Sequence, residues 1–335
     1  MLTKIDKPNN QLNIPRYVNP HMDYLDECIS IRQVPLETLQ GGYAIQDPVV
    51  TKALQSYVEE RNSWADFFVA NGKHSIQDEY KETFLNWIRS SQLNNIRGLD
   101  NFGWTTITNG TSEAFQMFMM RHNNRRFKFV KGDFIIHKVA SNVMELDWEW
   151  LREPSDLDPG DAVIISLPFS DTGSPHNELH AILESACNND VPVLIDMAYF
   201  GMCVNLDVDL NYRCIEEVTF SLGKTFPIIG ARAGIRLQRQ NVDDPVLFAN
   251  QNGIVNNFAC KIGNFCMLNY SPDYIPLKYY DAYYSLCVHN DIQITNCVVF
   301  GLSANQKYSE INRGNKQTRL CLSKYVLENY EQLEK

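Results

Sequence analysis

Apolar runs alternate with amphipathic segments along most of the chain, a pattern that is typical of α/β proteins. Two runs are almost continuously apolar, as in parallel strands that are buried on both faces: 161–168 and 191–196. A third strand-like run, 218–222, has apolar residues at Val218, Phe220 and Leu222. Elsewhere apolar residues recur at helical spacing, and the predicted helices are 48–58, 79–88, 114–120 and a segment that begins at Ser174-Pro175. The pattern therefore predicts a mostly parallel sheet that is covered by helices.

The two ends of the chain follow a different pattern. Residues 1–40 are polar and marked by prolines, which predicts an extended arm. Near the carboxyl terminus, 293–300 and 318–323 are predicted to be two strands of a small sheet, and 325–333 a final helix. A chain of 335 residues is long enough for a large α/β core with a smaller attached domain.

Charge and cysteine content weigh against several classes of protein. The formal charge is −10, from 40 acidic and 30 basic residues without a basic block, which disfavours nucleic-acid binding. The nine cysteines include no Cys-x-x-Cys pair, so we expect buried thiols in a reducing cytosol, and no disulfides or metal site. The amino terminus lacks the apolar core of a signal peptide, and no run of about 18 apolar residues occurs. We therefore expect a cytoplasmic protein without a membrane partner.

The segment 218–236, VTFSLGKTFPIIGARAGIR, contains the residue on which the functional prediction depends. Its one lysine, Lys224, follows an apolar strand, and apolar neighbours favour the neutral, nucleophilic amine that a Schiff base requires. A lone lysine after a strand is also a common solvated loop residue. Here Ser221 precedes the lysine by three residues and Arg232 follows it by eight, among small residues that let a ligand approach the backbone. This combination favours the catalytic interpretation.

The same segment resembles that of the fold-type I pyridoxal-phosphate (PLP) enzymes of the class I/II aminotransferase family, which reads approximately Ser-x-Ser-Lys and then Gly-x-Arg-x-Gly. Gly223 stands where that family usually has the second serine. The resemblance implies a three-layer α/β fold with helices on both faces of a mostly parallel sheet, plus a smaller α+β domain. It implies a large PLP-binding domain at 42–285, with 1–41 and 286–335 forming an N-terminal arm and a small C-terminal domain. It also implies PLP as cofactor and a homodimer with interface helices within 250–284.

Asp196 is the only carboxylate of the run 191–196 and lies at its carboxyl end, the edge where ligands bind in open parallel sheets. A carboxylate beside a pyridine nitrogen keeps that nitrogen protonated, so the ring can withdraw electrons from the substrate. Asp-x-Ala-Tyr here matches the family's Asp-Glu-Ala-Tyr, which implies that Tyr199 bonds the 3-oxygen of the cofactor. The alternative is an aspartate that caps the loop after a strand.

A predicted strand at 104–107 leads into Thr-Asn-Gly-Thr-Ser and then a helix. A glycine-led turn that opens a helix directs unpaired N–H groups and the positive end of the helix dipole toward an anion. The turn is a candidate phosphate site with Asn109, Gly110, Thr111 and Ser112 as contacts, although ordinary helix caps have similar composition. It matches the family's phosphate-binding turn, which implies that Arg232 is a further phosphate contact.

The resemblance implies two more cofactor contacts. Phe134 follows a predicted strand at 127–130 and is the candidate ring that stacks on the pyridine. There are two alternatives: His137 takes this role if the alignment slips, or Phe134 is an ordinary core phenylalanine. Ser170 stands where the family's asparagine bonds the 3-oxygen. A serine hydroxyl can donate the same bond over a shorter reach.

The remaining site residues concern the substrate and the dimer. Arg319 in Thr-Arg-Leu-Cys-Leu-Ser resembles the arginine of the family's closing strand, which binds the substrate α-carboxylate through two parallel hydrogen bonds. Gly42 and Tyr43 fall near the substrate entrance. Phe67 and Phe68 stand where the family has a tyrosine that reaches the phosphate of the partner subunit, but neither has a hydroxyl. We therefore expect two core aromatics there.

Together these residues imply an enzyme that acts on an amino acid, with Lys224, Asp196 and Tyr199 as its catalytic residues. Transamination to a keto acid is the leading prediction. A lyase or cyclase that performs elimination, replacement or decarboxylation is the alternative, since the substitutions at Ser170 and Gly223 suit a specialised enzyme. A non-catalytic relative that keeps the fold is a third possibility, and the joint presence of the lysine, the aspartate and Arg232 argues against it.

Overall fold

The structure of the protein is a computed structural model that describes residues 28–61, 64–67 and 75–334. Most of the predicted arm and Phe68 lie outside the described residues. Within the arm, Leu36–Leu39 forms a short 3₁₀ helix instead of extended chain. Thr38 causes this turn, because its backbone N and its hydroxyl both donate to the carbonyl of Pro35, at 3.1 and 2.6 Å.

The described part of the chain contains twelve strands and nine α-helices. The strands are β1 Asn95–Arg97, β2 Trp104–Asn109, β3 Arg126–Val130, β4 Trp148–Leu151, β5 Asp161–Ser166, β6 Val193–Met197, β7 Asp207–Asp209, β8 Ile215–Ser221, β9 Ala233–Gln238, β10 Gln293–Ile294, β11 Phe300–Ser303 and β12 Thr318–Cys321. The helices are α1 Pro48–Glu59, α2 Ile76–Arg89, α3 Thr111–Arg121, α4 Ile135–Val143, α5 Leu179–Asn188, α6 Pro245–Gln251, α7 Asn257–Asn269, α8 Tyr274–His289 and α9 Ser323–Leu333.

Seven strands form the central sheet in the order β2-β9-β8-β6-β5-β3-β4. Strand β9 is antiparallel to both of its neighbours, and the other pairings are parallel. The first residue of β9 therefore lies at the edge where the parallel strands end, and Ala233 pairs with Asn109. Strands β10, β11 and β12 form a separate antiparallel sheet, and β1 pairs with β7. The proposed division into two domains stays a prediction.

The central sheet is covered on both faces. In β5, Val163 and Ile165 belong to one apolar cluster, which also contains residues of α2, α5 and α7, while Ala162 and Ile164 belong to a second cluster with α3 and α4. This alternation confirms the predicted three-layer α/β fold. Eight of the nine cysteines are buried, as expected of small core residues. Every helix in the described residues is too short or too polar to cross a membrane.

Two predicted elements are wrong at their boundaries. The helix expected at Ser174 begins at Leu179, because the Ser174 carbonyl and hydroxyl accept hydrogen bonds from Thr172 Oγ1 (3.0 Å) and Asn296 N (3.1 Å). The strand expected over 293–300 is interrupted after Ile294. There the Thr295 hydroxyl bonds the carbonyls of Cys297 and Phe300 and closes a turn.

A buried network of charged side chains joins β8 and β9 to the end of α3 and the start of α6. Arg236 is fully buried and donates to both carboxylate oxygens of Asp244, at 2.6 and 3.1 Å. The buried Glu217 accepts from Arg121 Nη1 (2.6 Å) and Gln238 Nε2 (2.8 Å). Removal of one partner from such a pair strongly destabilises the fold, because the other charge is left buried without compensation.

Candidate active site

A cavity of about 620 Å³ opens at the carboxyl edge of the central sheet. Every predicted site residue except Asn109 and Gly110 lines this cavity, and those two lie directly beside it. The residues come from sheet ends that are distant in sequence, and from the segment that precedes α1. The geometry of the cavity therefore decides which of them can act together.

Lys224 lies three residues after β8 and points into the cavity. Its Nζ donates to the Gly42 carbonyl at 2.7 Å and lies 5.4 Å from the centre of the Tyr199 ring. Burial lowers the pKa of Lys224, and the charge of Arg232 lowers it further. The amine is thus more readily neutral than that of a solvated lysine.

The substitution of glycine for the family's second serine has a steric reason. A Cβ at Gly223 would lie 3.2 Å from Ile229 Cα, part of the backbone that returns toward β9. A serine side chain at this position requires that backbone to move. Ser221 remains in the cavity wall, where its hydroxyl accepts from Gly223 N at 3.3 Å.

Asp196 is the next-to-last residue of β6, the parallel neighbour of the strand β8 that precedes Lys224. Its side chain is buried, and its oxygens accept from Ala198 N (3.0 Å) and Thr111 Oγ1 (3.2 Å). The carboxylate is therefore fixed in orientation at the cavity wall.

His137 lies behind this carboxylate and does not line the cavity. Its Nε2 is 3.7 Å from Asp196 Oδ2, and neither ring nitrogen has a hydrogen-bond partner among the described residues. The ring packs against Phe115 and Phe134, with centroids at 4.7 and 5.5 Å. Phe134 lines the cavity, so the structure places the phenylalanine and not the histidine where a stacking residue could act.

Tyr199 faces the segment before α1, and its hydroxyl donates to the Gly42 carbonyl at 2.9 Å. Burial raises the pKa of Tyr199, so the phenol remains a proton donor at neutral pH. Gly42 thus receives hydrogen bonds from both Lys224 and Tyr199 on one carbonyl oxygen.

Gly42→Ala is expected to disrupt this contact. An added Cβ would collide with the Tyr199 hydroxyl and lie 3.1 Å from Phe300 Cζ. We expect the free energy of unfolding to fall by about 1–3 kcal/mol and kcat/KM to fall about tenfold or more. Urea unfolding and steady-state kinetics measure both. Gly103→Ala is the matched control, because nothing lies within 4 Å of a Cβ there. Equal behaviour of the two variants would contradict the prediction.

An anion cradle lies where β2 ends and β9 begins. Gly110 has φ 72° and precedes α3 without a side-chain cap, so N–H groups of the first turn remain available. Arg232 donates from Nη2 to the Asn109 carbonyl at 3.0 Å, and a Cβ at Gly110 would lie 3.0 Å from the same nitrogen. The Asn109 side chain bonds Glu113 at 3.1 Å. Its amide is therefore engaged with α3, outside the cavity lining.

Arg319 approaches the cavity from the C-terminal sheet. Its Nη1 donates to the Ser170 carbonyl at 2.8 Å, its Nη2 donates to the Gly41 carbonyl, and its guanidinium lies 4.1 Å from the centre of the Phe300 ring. Its Nε is buried and has no partner among the described residues. The guanidinium lies in the cavity wall, and a guanidinium is suited to binding a carboxylate. Tyr43, 59% exposed, lies at the cavity mouth.

The sequence did not identify Arg313, which also lines the cavity. Its Nη1 donates to the Ser170 hydroxyl at 3.1 Å and its Nη2 to the Asp133 carbonyl at 2.9 Å. The one local signal was its place in the polar loop Asn-Arg-Gly-Asn after a 3₁₀ helix.

Phe67 is buried against Phe258 with ring centroids 4.9 Å apart, as expected for a core aromatic.

The described residues contain no group of three or more His, Cys, Asp or Glu side chains placed to hold a metal ion. The chemistry available in the cavity is therefore that of a lysine, a fixed carboxylate, a phenol and several guanidinium groups.

Comparison with known proteins finds similar solved structures but no similar sequence. No protein-family model matches the chain, and no curated protein matches its sequence significantly. A mutant aspartate aminotransferase from Thermus thermophilus has a TM-score of 0.62 at 13% identity, covering 90% of this chain and 96% of that one. The PLP-bound C-S lyase from Staphylococcus hominis has a TM-score of 0.59 at 11% identity, covering 98% of both chains. The chain has the fold of the fold-type I PLP enzymes.

An aromatic aminotransferase from Pyrococcus horikoshii has the same fold-type I architecture, with a TM-score of 0.62 at 12% identity over 89% of this chain and 94% of that one. These proteins perform different reactions on a shared scaffold. The fold-type I likeness thus identifies the architecture, and the reaction has to be argued from the side chains in the cavity.

Proposed function

We propose that the protein is a PLP-dependent enzyme that acts on an α-amino acid through Lys224. The observation that carries the proposal is the placement of Lys224 and Asp196 at the ends of adjacent parallel strands, in one cavity with an anion cradle. An amine, a carboxylate and a phosphate site are the three groups needed to hold the aldehyde, ring nitrogen and phosphate of this cofactor.

The side chains fit the cofactor. The uncapped N-terminus of α3, Gly110 and Arg232 would hold the phosphate, Asp196 the ring nitrogen, and Tyr199 with Ser170 the 3-oxygen. Phe134 would cover one face of the ring. Arg319, which lies in the cavity wall, would bind the substrate carboxylate.

When bound, PLP supplies a reactive aldehyde and a ring that accepts electrons from the substrate α-carbon. Lys224 provides the amine that holds the aldehyde carbon, and after substrate displaces it, its neutral Nζ removes the α-proton. Asp196 keeps a proton on the ring nitrogen, and Arg319 orients the substrate through its carboxylate. The buried Tyr199 hydroxyl holds its own proton as a hydrogen-bond donor.

The proposed reaction is transamination, in which Lys224 would carry the proton that it takes from the substrate α-carbon and a keto acid would accept the amino group. Incubating the yellow holoenzyme with a panel of amino acids, without keto acid, tests this directly. We expect loss of the visible band as the cofactor becomes its pyridoxamine form. Release of ammonia or of an eliminated fragment, with the visible band retained, would identify a lyase instead.

We further propose that the enzyme is a cytoplasmic homodimer, since fold-type I sites are completed at subunit interfaces in the family that the sequence resembles. Light scattering on the active holoenzyme is expected to give twice the mass of 38.6 kDa. A fully active monomer would contradict this part of the proposal.

A further inference from the structure

A second guanidinium, that of Arg313, is held at the cavity wall opposite the central sheet. It follows the 3₁₀ helix Gln306–Ile311, and 26% of its side chain is exposed. Hydrogen bonds to the Ser170 hydroxyl and the Asp133 carbonyl fix its orientation. A charged group that is already fixed in position binds a ligand without a large loss of side-chain entropy.

Arg313 and Arg319 converge on one acceptor. Arg319 Nη1 lies 2.8 Å and Arg313 Nη1 3.4 Å from the Ser170 carbonyl oxygen. Two guanidinium groups that share a neutral acceptor repel each other unless anions lie near them. Burial lowers the pKa of Arg319, and the charge of Arg313 lowers it further. The arrangement is therefore most stable when anionic groups occupy the cavity.

The charges inside the cavity are not balanced. Its wall includes four basic side chains and two carboxylates: Lys224, Arg232, Arg313, Arg319, Asp196 and Glu310. The proposed function uses all of these except Arg313 and Glu310. Glu310 is exposed, and in the described chain no ion pair joins it to Arg313.

One carboxylate does face Arg313 from outside the cavity. Asp171 Oδ1 lies 3.7 Å from Arg313 Nε, beyond hydrogen-bond distance, and the Asp171 side chain is buried. Burial raises the pKa of Asp171, and its Oδ1 accepts no hydrogen bond from the arginine or from any other described residue. Arg313 therefore keeps capacity to bind a further anion.

We propose that Arg313 binds a second acidic group, carried on the substrate side chain, so that the preferred substrates are amino acids such as aspartate or glutamate. This inference rests on the proposed function, because it assigns the α-carboxylate to Arg319. A substrate with a cationic side chain is disfavoured, because the carboxylate that would bind it, Glu310, is exposed. Arg313, by contrast, is partly buried and held in place.

Isosteric substrate pairs test the inference. The holoenzyme is mixed with L-aspartate or L-asparagine, and with L-glutamate or L-glutamine, and the loss of the visible band is followed in single turnovers. In at least one pair we expect the acidic member to react roughly 10- to 100-fold faster, the range for a hydrogen-bonded charged group. In Arg313→Met this ratio is expected to fall to within about threefold, and Arg313→Lys should give an intermediate ratio.

Arg213→Met is the matched control, because Arg213 forms an exposed ion pair with Asp190 far from the cavity lining, and it should keep the wild-type ratio. A ratio measured on one preparation does not depend on the folded fraction, so a loss of stability cannot imitate the result. Equal rates within both pairs, faster reaction of the neutral members, or an unchanged ratio in Arg313→Met would overturn the inference alone. A protein that binds PLP without a visible band would overturn the proposed function as well.

Discussion

Lys224→Ala is expected to abolish the visible band of the PLP-loaded protein and to lower kcat by about 10⁴-fold or more, because both the covalent attachment and the base are lost. PLP should still bind through the anion cradle. Absorption spectra and single-turnover kinetics measure the two effects. Because burial lowers the pKa of Lys224 below the usual 10.5, the wild-type apoprotein should capture the aldehyde at pH values where exposed lysines are protonated.

The matched control is Lys52→Ala, which removes an exposed lysine of α1. This variant should keep the band and the rate of the wild type. A band that persists in Lys224→Ala at one cofactor per chain would show that another amine holds the aldehyde, and the proposed function would then be wrong.

Asp196→Asn is expected to lower kcat by about 10²- to 10³-fold, the usual effect of removing one buried electrostatic contact to a developing charge. The visible band should remain, since Lys224 is intact. The amide is similar in size: its Oδ1 can still accept from Ala198 N, and its Nδ2 can donate to Thr111 Oγ1, so the loss would report charge and not packing. Single-turnover rates at saturating amino acid measure the effect on the chemical step.

Asp100→Asn serves as the control for Asp196→Asn, because Asp100 lies exposed in an ion pair with Arg89. Asp196→Glu, which retains the charge, should recover part of the lost rate. A fall of less than tenfold in Asp196→Asn, with the band unchanged, would mean that the carboxylate does not face the ring nitrogen.

The central strands could be predicted because their burial on both faces leaves a continuous apolar run. The run 191–196 overlaps β6, and the run 218–222, in which every second residue is apolar, overlaps β8, with boundaries that differ by a few residues at most. The start of α1 was also predictable, since Asp47 accepts from Val50 N at 2.9 Å as a local cap. The helix expected at Ser174 failed because its contact with Asn296 lies 122 residues away in the sequence.

The same distinction between local and distant contacts applies to the cavity. Asp196 and Lys224 could be placed from sequence because both follow buried parallel strands, whose carboxyl ends must share an edge. Arg313 could not, because its partners Ser170 and Asp133 lie 143 and 180 residues away. Phe134 was the candidate for the ring face, with His137 as the alternative, and only the geometry of α4 shows that His137 lies behind Asp196.

The side chains of the buried Arg236 network do not line the cavity. Changes in substrate preference at the cavity mouth therefore need not disturb the ion pairs of Arg236 and Glu217. In a laboratory evolution experiment, thermal stability and substrate specificity should therefore respond to separate sets of substitutions. Improvements in the two properties can then be selected independently and combined.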